Sequence, residues 1–116
     1  MKLNEYPQAI AHQSRQLLEF DQSLIGLTES VKIFEAEIDK VIAFDVNLKN
    51  DAQRKAKRVE LQQTDGDFYS SSLLLKQTKE KRDLLAIDLE LLRNQFAIAK
   101  LEKREAIAQM ELQSAA

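Results

Sequence analysis

After Pro7 the chain contains no proline, and its only glycines are Gly26 and Gly66. Tight turns depend on the fixed φ of proline and the positive φ open to glycine. A chain of 116 residues with so few of either cannot supply the turn every ten residues or so that a β-sandwich or doubly wound α/β domain demands. What remains is a small number of long helices in one domain. Cysteine is absent, which excludes disulfide frameworks and Cys-ligated zinc. His12 is the single histidine, so Ser-His, Cys-His and multi-His sites lack their material.

The first helix is expected over about 7–44, opening at Pro7, whose missing N–H costs nothing in a first turn. Ile10, Leu17, Leu24, Val31 and Ile38 recur every seven residues. A second row, three residues on, reads Gln13, Phe20, Leu27, Phe34, Val41 and Leu48. Two such rows form one apolar stripe, the pattern of a coiled coil or of a helix packed in a small bundle. Glu19, Asp21, Lys32, Glu35, Glu37, Asp39 and Lys40 fall between them, as a solvated face requires. Inconsistent β-branching along the first row favours bundle-type packing of an antiparallel hairpin over an extended two-stranded coil. Gly26 lies off both rows and reads as a tolerated defect costing about 1 kcal/mol against Ala.

Asp45-Val46-Asn47-Leu48-Lys49-Asn50 concentrates turn formers, so the first helix should stop there. Asn50 followed by Gln53 has the spacing of a capping box. A short helix is expected over about 51–63, with Ala52, Ala56 and Val59, joined by Leu48, as its thin apolar edge. Thr64-Asp65-Gly66-Asp67 is the clearest turn signal, and a second long helix should run over about 67–113. The fold class is therefore all-α: a long antiparallel, coiled-coil-like helical hairpin with a short helix at the connection.

Residues 84–101 are the most informative stretch. At 100° per residue, Leu85, Leu89, Leu92, Phe96 and Ala99 share one face, while Leu84, Ile87, Leu91, Ile98 and Leu101 share another. One apolar stripe needs one partner surface and two stripes need two. The first helix covers one. The second is expected against another subunit, most simply in a homodimer with a four-helix section, the competing arrangement being the short helix folded back over it.

Chemistry is sparse. A di-metal bundle site needs Glu-x-x-His pairs, and none precedes His12. Glu35 and Asp39 share the polar face and read as solvated charges. Phosphate loops and nucleophile elbows need glycines at fixed spacing. We therefore expect no enzyme activity, no cofactor and no metal. Neither a signal peptide nor an apolar run long enough for a membrane is visible, and a soluble cytoplasmic protein is the expectation.

A formal net charge of −2 conceals a partition. Residues 1–48 balance to −4, residues 49–82 to +4 and residues 83–116 to −2. The positive third holds Lys49, Arg54, Lys55, Lys57 and Arg58, then Lys76, Lys79, Lys81 and Arg82. In the hairpin these would lie towards the connection as a basic pole. That pole suits a polyanion such as nucleic acid or an acidic protein, although a merely solvated helix end gives the same pattern. Arg82 continues the row Phe68, Leu75, Leu89, Phe96, so it should either snorkel past the partner helix or pair with an acid such as Glu35 or Asp39.

Leu48-Lys49-Asn50-Asp51-Ala52-Gln53-Arg54-Lys55-Ala56 resembles a linker, Leu-Lys-Asn followed by Gln-Arg-x-Ala, that joins two long helices in small helical proteins of phage and mobile-element type. The likeness covers residues 30–104 and includes the step from Arg93 to Phe96. It implies an accessory factor, with DNA transactions as one setting, and it carries no site residues. Together the observations predict a non-enzymatic scaffold, adaptor or accessory protein, whose partners are itself or another helical protein. A nucleic-acid-binding factor using residues 49–82 is the competing expectation.

Overall fold

The computed structural model describes residues 1–115. A 3-10 turn, Leu3–Glu5, leads into α1 (Tyr6–Ala43), followed by α2 (Asp51–Thr64) and α3 (Gly66–Ala115). The fold is all-α, a helical hairpin in which α1 packs against α3. Each expected helix is present with its ends within two residues of expectation. The described residues group into two compact units: 1–19 with 82–115, and 20–81.

In the second unit, the chain leaves α1 through an Asx turn in which Asn47 N–H donates to Asp45 Oδ1 at 2.9 Å. Asn50 then caps α2, its Oδ1 accepting from Gln53 N–H at 2.9 Å. Gln53 Oε1 accepts in return from Lys49 N–H, one residue before the cap. The two amides thus satisfy backbone donors reciprocally, as in a capping box shifted by one position.

The Asp-Gly signal marks a sharper event than a turn. Asp65 is the one residue between α2 and α3. Its N–H donates to Leu61 O at 2.7 Å, closing α2, and its Oδ1 accepts from Phe68 N–H at 3.0 Å, opening α3. Gly66 is the first residue of α3 and its φ is not positive, so its special conformational freedom is unused. Leu61, Phe68 and Leu75, spaced by seven across this break, are all partly buried. The break therefore preserves the phase of the apolar row. On α2 the inward positions are Lys57, Leu61 and Gln62. Ala52, Ala56 and Val59 are exposed, so the expected apolar edge of this helix is the wrong one, and only Leu48 before it is partly buried.

The α1 stripe holds at Leu24, Leu27, Val31 and Phe34 and reaches full burial at Ile38. It then slips: Val41 is 52% exposed and Ile42 only 4%. A straight helix of 3.6 residues per turn drifts about 20° per heptad, so after five heptads the inward position has moved by one residue. Against this end of α1 lies α2, with Arg58 Nη2 3.0 Å from Asp39 Oδ1.

In the first unit, α1 and α3 segments pack through Leu89 and Leu92, both buried. The Tyr6 and Phe96 rings stack with centroids 5.3 Å apart and planes 16° from parallel, and Lys100 Nζ stands 4.5 Å from the Phe96 centroid. These contacts fix the antiparallel register, the start of α1 against residue 96 of α3.

Candidate interaction surfaces

On α3, the face predicted to meet α1 does so. Leu85 is half-buried, Leu89 is 2% exposed, Leu92 is buried, and Phe96 and Ala99 are half-buried. The second face stays open. Leu84, Ile87, Leu91, Ile98 and Leu101 are between 55% and 65% exposed. Their steps alternate between three and four residues, and the same alternation passes through Asn94, also exposed, between Leu91 and Ile98. The exposed residues have the three-four spacing of a heptad row and include a single amide. Beyond it, all described residues from 101 onward are exposed.

Gln13 is the matching amide in the packed seam of this unit. Its Oε1 is buried without a hydrogen-bond partner, a desolvation cost of roughly 1–3 kcal/mol.

The cations of residues 49–81 belong to the second unit. Three of the four on α2 are engaged by carboxylates: Arg54 with Asp51 at 3.0 Å, Lys57 with Glu60 at 3.7 Å, and Arg58 with Asp39. Arg54, Lys55 and Arg58 line a shallow depression together with Asp51, Val59 and Gln62. Lys49, Lys76, Lys79 and Lys81 are exposed. The α2 cations and the α3 lysines, Lys76, Lys79 and Lys81, stand at different levels of α1. Arg58 is beside Asp39, whereas Leu74 and Thr78 share a groove with Gly26, Leu27 and Ser30. The step along α1 from Ser30 to Asp39 alone is about 14 Å at 1.5 Å per residue. The expected single pole is thus a string of positive charge along the helices.

Asp39, expected as a solvated acid or a partner for Arg82, accepts from Arg58 instead. Arg82 Nη1 lies 3.5 Å from Asp83 Oδ1. His12 is exposed. Among the described residues no three His, Cys, Asp or Glu side chains converge as metal ligands, and no helix is long and apolar enough to cross a membrane.

The fold defines a class, the all-α helical hairpin, with an apolar seam left open on one helix. No family model matches the chain, and no curated protein or solved structure does either.

Proposed function

We propose that the protein is a non-enzymatic helical scaffold or adaptor that self-associates through the open seam of α3. The observation that carries this reading is the exposure of Leu84, Ile87, Leu91, Ile98 and Leu101 on a helix whose opposite face is already packed. At about 25 cal/mol per Å² of apolar surface, five such side chains in water forfeit several kcal/mol that a matching surface recovers. A contiguous apolar stripe flanked by polar residues is the usual mark of a protein interface. Among the described residues of the unit that bears it, only Leu89 and Leu92 are fully packed aliphatic side chains, so a second layer adds substantially to its core. The simplest closed solution is a two-fold homodimer with a four-helix section. A cytoplasmic setting belongs to the same reading.

The test uses Leu91→Glu/Ile98→Glu. Both positions are exposed in the hairpin, so helicity should match wild type while light scattering falls from dimer to monomer. A wild-type protein already monomeric at micromolar concentration overturns the reading. Polyanion binding by residues 49–81 has weaker support, because three of its cations already face carboxylates. It requires DNA affinity that drops steeply between about 50 and 200 mM salt.

A further inference from the structure

Resting on that reading, we infer that the occupant of the seam is a second copy of this chain lying antiparallel, with its two-fold axis passing between Leu91 and Asn94. The pattern of the seam is the first argument. Leu84, Ile87, Leu91, Asn94, Ile98 and Leu101 follow steps of three, four, three, four and three, which read the same from either end. Laid antiparallel on itself, the seam sets Leu84 against Leu101 of the second copy, Ile87 against Ile98, and Leu91 against Asn94. Every position is used, and the interface is self-complementary, as a two-fold axis demands.

Charge complementarity is the second argument. In this arrangement the residues flanking the seam on one side pair Asp83 with Arg104 of the second copy, and Glu90 with Ala97. On the other side Asp88 meets Gln95 and Lys81 meets Glu102. Both charged pairs are therefore of opposite sign, and symmetry makes each occur twice. Arg104 is placed for this, lining a shallow groove beside the seam with Ala97, Lys100 and Leu101. Asp83 touches Arg82 of its own helix at 3.5 Å and is half-exposed, which leaves its carboxylate accessible to a second cation. A parallel pair in register instead sets Asp83 beside Asp88 of the other copy on both sides of the seam, and brings no opposite charges together. Like charges so placed disfavour that pairing, and flanking charges are what choose orientation in paired helices.

Asn94 fits the same scheme. One amide in an apolar seam restricts which registers and orientations are tolerated, at some expense of stability. Beside the axis, the two Asn94 side chains approach each other and each has the other's amide within reach. Sliding the seam by a heptad moves them apart among aliphatic side chains.

The chain has no cysteine, so orientation is measurable by disulfide formation. Leu84→Cys and Leu101→Cys proteins are prepared separately, then oxidised alone and mixed, beside sedimentation of the wild type. The antiparallel dimer yields crosslinked chains only in the mixture, because the two thiols introduced at position 101 stand roughly 25 Å apart in it. Crosslinking of the Leu101→Cys protein with itself indicates a parallel dimer and overturns the orientation while self-association stands. A wild type that sediments as a dimer without crosslinks in the mixture overturns the proposed register. A monomeric wild type removes the self-association reading as well. Asp83→Arg should weaken the dimer a few-fold, and adding Arg104→Asp should restore it.

Discussion

Two faces of one helix have opposite fates. Between residues 84 and 101, α3 presents Leu85, Leu89, Leu92, Phe96 and Ala99 on one side and Leu84, Ile87, Leu91, Ile98 and Leu101 on the other. Side-chain chemistry hardly distinguishes them. The first set packs with α1, pinned by the stack of Tyr6 on Phe96, whereas the second stands in solvent. Each seam has one amide: Gln13 enters the packed one from α1 and Asn94 belongs to the open one. Local sequence decides that both are seams. Which of them the chain itself fills is decided by the register of the hairpin.

The largest effect that separates the faces is a methylene count. On the monomeric Leu91→Glu/Ile98→Glu background, Leu89→Ala should cost about 2–5 kcal/mol in urea unfolding, since it empties a site that is 2% exposed. Leu84→Ala on that background should change unfolding by no more than about 0.5 kcal/mol, because its side chain is mostly in water. Equal losses would erase the distinction between the faces.

The amides sharpen it next. Gln13→Leu removes a buried unpartnered oxygen and should stabilise the monomer by about 1 kcal/mol in the same unfolding experiment. Asn94→Leu should leave monomer unfolding unchanged and instead tighten association, which sedimentation reads. A monomer stabilised by Asn94→Leu as strongly as by Gln13→Leu would mean that the open seam is covered within the chain.

Gly26→Ala gives the smallest effect. An added Cβ at Gly26 meets no atom within 4 Å, so the change should raise stability by up to about 1 kcal/mol through helix propensity alone. Destabilisation on thermal unfolding would show that this side of α1 is more closely packed than its open groove suggests.

Much of this is readable from spacing. The heptad rows locate α1 and the two faces of α3, and Asn50 with Gln53 locates the start of α2, because periodicity and capping are local. The failures are equally local in origin. The rows place Val41 inside and leave Ile42 out, since a strict seven-residue row ignores the drift of a straight helix. Leu61 escapes notice because the Asp65-Gly66 signal invites a full turn, although the seven-residue step from Leu61 to Phe68 carries the row through it. The basic residues look like one pole in sequence because their levels along α1 depend on how α2 and α3 follow one another, which composition does not encode. The identity of Arg58 as the partner of Asp39 is hidden for the same reason.

The central claim is that the open seam of α3 is filled by a second copy. Sedimentation equilibrium of the unmodified protein over a range of micromolar concentrations tests it most directly. The account predicts a mass twice the 13.3 kDa of one chain, falling towards one chain on dilution. A mass of one chain at every concentration would contradict it.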